Sequence, residues 1–465
     1  MLDNNVYMIA TNYYKYDNSK IFNPSKRYLE GVNLDIKSDE KVYDLVRNLF
    51  IEMNLDSEHI GTKDWNPFGD FISPDNKVVI KPNLVKDINE LSNSNTDCLI
   101  TNFSIIRPII DYTIIALKNT GSIIVGDAPV QECNFSSVVK LNGLSEAVNI
   151  YNDNGFKIEL KDFRKNEVAD LKCKIVSLGQ NSSLSDVDKY CKKYAITNYN
   201  LKYMHKHHHD GIHEYLIPED VLNADVIINV PKPKTHRKAG VTAAMKNFVG
   251  INSKKEYLPH HRNGSINAHG DEYPEKSIVK SYCSHIKNYN YTNNKFIQLF
   301  YCLGLKLQKK LKKDRFIEGS WYGNDTIWRT ILDINKVVLY ANKYGIIESE
   351  SFPKQQRVVL NIADMLISGE KEGPLLPSPK DVGYVVGSFN ALNMDKIICE
   401  IMGFDSNKIK YIYNGYLLKK YKISKTNKFN FICNNKKCST KNYVKNFIPT
   451  DGWVDYLSGG KNEKN

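Results

Sequence analysis

Apolar residues fall into short runs separated by longer stretches of helical spacing. Val78–Ile80, Ser122–Val125, Phe156–Leu160, Val226–Val230, Arg357–Ile362 and Gly383–Ser388 read as strands. Glu40–Met53, Ser136–Ile150, Trp328–Tyr340 and Ala391–Met402 read as helices. Arg107–Leu117 is apolar enough for a helix packed on a sheet, though its isoleucines also suit a strand. Strands alternating with helices predict an α/β fold: an open, largely parallel sheet flanked by helices. The pattern divides the chain into an N-terminal extension (1–76), a first core part (77–251), a lid-like insertion (252–345), a second core part (346–405) and a basic C-terminal tail (406–465).

The most distinctive stretch is ADVIINVPKPKTHRKAGVTAAMKNFVGI, Ala224–Ile251. A buried strand leads into a cationic turn that Pro231 and Pro233 stiffen. Gly240-Val241-Thr242 is expected to open a helix through Phe248. A helix start facing Lys234, His236 and Lys238 predicts an anion site.

Polar residues recur where strands end: Lys81 and Asn83, then Asp127, then Lys234 and His236, then Asp364. In an open parallel sheet such residues meet in one crevice. Lys81, Lys234 and Lys246 suit phosphate or carboxylate oxygens. Asn83, Gly240, Thr242 and Asn247 complete the expected ligand-binding set. His236 suits general acid–base work, and Asp127 and Asp364 suit proton transfer or a divalent metal. His207, His209 and His213 offer an alternative metal set. No phosphate-binding G-x-x-x-x-G-K-[ST], dinucleotide G-x-G-x-x-G or G-x-S-x-G elbow occurs.

Charge sharpens the picture at the C-terminus. The chain carries a formal +12, and residues 406–465 hold 13 Lys against Asp451, Asp455 and Glu463, so 13 − 3 gives +10 there. That stretch reads as a site for an acidic partner or as a solvated end. Phe296–Phe316 begins apolar and turns basic, which fits a lid helix or a helix lying on anionic lipid. Nine scattered cysteines suit reduced thiols, and the lone Cys433/Cys438 pair does not define an iron–sulfur centre. With no secretion signal and no run of eighteen apolar residues, a cytoplasmic protein is expected, with peripheral membrane contact left open. The expected partner is an anionic small molecule; no specific nucleic acid is expected, and the cofactor stays undefined beyond a divalent metal.

At VVIKPNLV (Val78–Val85), VGDAP (Val125–Pro129), the Ala224–Ile251 stretch and IADMLISGEKEGPLLPSPK (Ile362–Lys380) the chain resembles domain-of-unknown-function family 362. The likeness continues through the Asp395 helix and Met402-Gly403-Phe404-Asp405. Many relatives carry a ferredoxin-like module with C-x-x-C-x-x-C runs, absent from this sequence. Met365 and Lys371 stand where the family has glycine. A likeness of arrangement also exists to the N-terminal domain of nickel-pincer lactate racemases, at Pro231, His236, Gly240 and Lys246. The resemblance implies no settled reaction. The expectation is an enzyme acting on a phosphorylated or carboxylated small molecule, with metal assistance as one form. The alternatives are a non-catalytic scaffold holding an anion or glycan precursor at a membrane surface, and a redox or metallocofactor-linked protein.

Overall fold

The computed structural model describes residues 3–16, 23–32, 34, 39–91, 95–165, 171–199, 201–289, 299, 302–304, 306, 316–349 and 353–458. The β-branched runs join in one sheet of eleven strands. In chain order these are β1 (Val6–Ala10), β2 (Lys77–Pro82), β3 (Ser122–Asp127), β4 (Ile158–Asp162), β5 (Val226–Val230), β6 (Lys234–His236), β7 (Gly240–Thr242), β8 (Val358–Glu372), β9 (Leu376–Ser388), β10 (Phe431–Cys433) and β11 (Lys436–Lys437). The spatial order is β11-β10-β1-β9-β8-β5-β2-β3-β4, with β6 beside β8 and β7. The adjacent strands β8, β5, β2, β3 and β4 run parallel. β9 is antiparallel to both its neighbours.

Strand order decides where a ligand can enter. From β2 the chain adds β3 and then β4 on one side. It then crosses back to lay β5 against the other side of β2. Connections therefore diverge between β2 and β5, leaving a crevice beyond their carboxyl ends.

Helices cover both faces, because the central parallel strands β2 and β5 are apolar on both. Helices α1 (Lys41–Glu52), α2 (Phe103–Leu117), α3 (Phe135–Asn142) and α4 (Leu144–Asp153) pack on one side with Val78, Ile80, Val226 and Ile228. On the other, α5 (Ile327–Tyr340), α6 (Ala391–Ile401) and a small sheet containing Cys173–Ser177 and Ile212–Pro218 pack with Val79, Ile227 and Val359. The isoleucine-rich stretch at 107–117 is thus helix, and Ser136–Ile150 is two helices split at Gly143, whose φ of +89° favours glycine.

Several boundaries move. The N-terminal extension is part of the core, since β1 lies between β9 and β10. β8 does not stop near Asp364: it continues to Glu372 and forms a long hairpin with β9. Gly240–Thr242 is not a helix start but the second strand of a hairpin with β6. The helix after it spans only Ala244–Asn247, with a 3-10 turn from Phe248 to Ile251. Nor are the described residues of 406–465 a free tail. β10 joins the sheet through β1, and Trp453 is buried with its indole N–H 2.8 Å from the Arg237 carbonyl. Most of Phe296–Phe316 lies outside the described residues, and among those described no helix is long and apolar enough to cross a membrane. All nine cysteines are free thiols.

Candidate functional site

Register sets the floor of the crevice. Asn229 on β5 stands opposite Lys81 on β2 and Asn361 on β8, so three adjacent strands each present one polar residue in a single row. Alternation puts them on the face of Val79, Ile227 and Val359. Asn229 donates to Asn361 at 2.9 Å and accepts from Asn247 at 2.8 Å. Asn247 also accepts from Asn83 at 2.7 Å. Asn83 in turn accepts from Lys234 at 2.6 Å, and the Lys234 ammonium also donates to the Leu99 carbonyl. Lys81 is fully buried and pairs with Asp127 at 2.7 Å; the other Asp127 oxygen accepts the Leu84 N–H at 2.6 Å. Gly250 makes room for that pair, since a Cβ there would collide with the Asp127 carboxylate and sit 2.9 Å from Lys81 Nζ.

Above this floor lies a cavity of about 200 Å³. Lys234, Arg237, Lys238, Lys246 and Lys255 line it, and Asp127 is the acidic residue among its described walls. Burial pushes Lys234 and Lys246 down to about 7 and Lys255 to about 8, and nearby lysines add repulsion. Lys255 donates to the Ala128 carbonyl at 2.6 Å and Arg237 pairs with Glu318 at 3.3 Å. Lys246 Nζ makes no hydrogen bond or ion pair with the described residues. Thr242 also lines the cavity, its hydroxyl buried and without a hydrogen-bond partner among the described residues.

Two histidines share these walls. His236 Nδ1 accepts the N–H groups of Lys238 at 3.0 Å and Ala239 at 3.1 Å. His260 Nδ1 lies 2.7 Å from the Leu258 carbonyl oxygen. Burial, then the surrounding cations, holds both rings well below the usual histidine range.

Of the sequence-derived set, Asn83, Asp127, Lys234, His236, Thr242, Lys246 and Asn247 line the cavity, and Lys81 lies directly behind Asp127. Gly240 does not: its φ is +83° and its open side faces Ile409 and Trp453. Asp364 is paired with Lys232 at 2.9 Å and accepts from the Tyr16 hydroxyl, away from the cavity lining. Asp127 and Asp364 therefore serve separate lysines and do not converge on one ion. The histidine cluster spreads as well: His207 pairs with Glu214 at 2.7 Å and His213 with Asp188 at 2.9 Å. Among the described residues no three His, Cys, Asp or Glu side chains gather as a metal would require. The expected helix-end anion site is not available either, because the Ala244 and Met245 N–H groups are taken by buried Asp395 at 2.7 and 3.1 Å. Lys255 and His260 were hidden in a stretch whose polarity reads as loop.

Residues 168–400, half of the chain, match the model of a family described as a domain of unknown function, DUF362. The matched part holds β5 to β9, while Lys81, Asn83 and Asp127 precede it. No curated protein matches the chain.

Proposed function

The chain belongs to the DUF362 family, and from its pocket we propose that the protein is an enzyme acting on an anionic small molecule, phosphorylated or carboxylated, held beyond the carboxyl ends of the parallel strands. The observation that carries this reading is uncompensated cation. Five basic side chains line the cavity; Arg237 is paired with Glu318 and the cavity's acid, Asp127, is already matched by Lys81, while Lys234, Lys246 and Lys255 make no ion pair with the described residues. A merely solvated basic loop would keep its ammonium groups in water. Here Lys234 and Lys238 are buried, Lys246 Nζ makes no hydrogen bond or ion pair with the described residues, and the buried Thr242 hydroxyl has no hydrogen-bond partner among them. An anion supplies the missing partner for both. The volume is small, about seven waters at roughly 30 Å³ each. Val85, Pro129, Ile196, Val249 and Leu258 add an apolar wall, which suits a short carbon body attached to the charged group.

Calorimetric titration of the full chain with sulfate, inorganic phosphate and short carboxylates, at constant ionic strength in chloride, tests the anion site. Saturable binding in which these ions displace one another is expected. Heats no larger than chloride alone gives would remove the reading. Phosphorylated and carboxylated metabolites followed by NMR then separate turnover from storage: tight binding with every compound returned unchanged favours a non-catalytic carrier.

A further inference from the structure

The two pocket histidines have opposite hydrogen-bond polarity, and the geometry fixes which nitrogen carries each proton. A nitrogen that accepts has no hydrogen of its own, so His236, accepting two backbone N–H groups at Nδ1, bears its proton on Nε2. A carbonyl oxygen only accepts, so His260 bears its proton on Nδ1 and carries a lone pair on Nε2. Both rings line the same cavity, and neither Nε2 has a partner among the described residues. Without a bound anion, burial and then the surrounding cations disfavour a second proton on either ring.

Resting on the reading of this cavity as an anion site, we propose that His260 Nε2 is the proton acceptor of the reaction and that His236 Nε2–H donates a hydrogen bond to the group gaining negative charge. In this step a substrate X–H bond breaks and an N–H bond forms, leaving His260 as imidazolium. The electron pair stays on the substrate, where the His236 N–H and the lysine ammoniums meet it. Return of the proton restores the starting state, so the step needs neither oxidant nor reductant. Sequence alone points to His236 as the acid–base group. Its accepting nitrogen is spent on backbone, and the role passes to His260.

Two measurements on the full chain test the assignment. With ¹⁵N-labelled histidine and H236Q and H260Q to assign signals, NMR should find the His260 proton on Nδ1 and the His236 proton on Nε2. Diethyl pyrocarbonate reports the lone pair directly. Nε2 attacks its carbonyl, an N–C bond forms, and ethyl carbonate leaves to give ethanol and carbon dioxide. Peptide mass mapping should show His260 carrying the label and His236 without it, with loss of His260 labelling under saturating sulfate. A His260 proton on Nε2, an inert His260, or labelling at an unchanged rate under sulfate would overturn the assignment. Sulfate binding measured alongside keeps the two ideas apart. Binding to a protein with inert His260 sinks the proton acceptor alone, whereas no binding sinks the anion pocket with it.

Discussion

Lys246 and Thr242 are built for something other than stability. An ammonium drawn out of water beside Lys255 and Lys81, without a counter-charge, costs free energy, and so does a buried hydroxyl without a partner. Lys246→Met keeps the length and removes the charge. Its melting temperature should equal or exceed wild type, while sulfate affinity falls about ten- to a hundredfold, since a charge-assisted bond is worth roughly 1.5–3 kcal/mol. Thermal scanning beside calorimetry separates this from a folding defect: a lowered melting point would mark Lys246 as structural. Thr242→Val should behave alike on a smaller scale, gaining about 1 kcal/mol in denaturant unfolding without ligand and losing affinity with it. Such opposed changes are expected where a binding site is carried at the expense of the fold.

Among elements, the short segment from Ala244 to Ile251 sets the site. It places Asn247 on the strand ends, Lys246 in the cavity and Gly250 over the Lys81–Asp127 pair. Gly250→Ala forces that pair apart, and breaking a buried ion pair typically costs about 3–5 kcal/mol. Urea unfolding should register a loss of that order; a loss under 1 kcal/mol would mean the pair relaxes freely. The sheet was legible because Val/Ile runs at Val78–Ile80, Ser122–Val125, Val226–Val230 and Arg357–Ile362 have few ways to be buried except side by side. Convergence of Lys81, Asn83, Asp127, Lys234 and His236 followed from the same logic. What could not be read was direction and partnership. Gly240 looks like a helix opener until β7 is seen pairing with β6, and Asp364 looks like a strand-end residue until β8 is seen running eight residues further. Whether a lysine faces a carboxylate or another lysine depends on contacts between segments far apart in sequence, as with His260 and His236.

For the whole molecule, the depressed lysines tie stability and binding to pH in opposite directions. An unfolded lysine binds its proton up to about 10.5, whereas folded Lys234 and Lys246 release theirs near 7 and Lys255 near 8. Between those values the unfolded chain holds more protons, so each group adds stability as pH rises, by at most about 1.4 kcal/mol per pH unit. The ligand-free protein should therefore gain melting temperature from pH 7 towards 9, with a smaller gain in Lys246→Met. Sulfate, which needs the protonated lysines, should bind more weakly over the same range and take up protons as it binds; calorimetry in buffers of different ionisation enthalpy reads that uptake. The placement of β1 has a further consequence, in the timing of synthesis. Tyr7 lies opposite Gly387 and Ile432, so β1 is made long before the strands it pairs with. At about 5–20 residues per second, a ribosome needs roughly 20–80 s to reach the partner. During that interval Val6, Tyr7 and Met8 present an apolar edge to whatever else is nascent. Chains halted before residue 376 should accumulate on chaperones or in the insoluble fraction, and the length at which they are released should coincide with the emergence of β9.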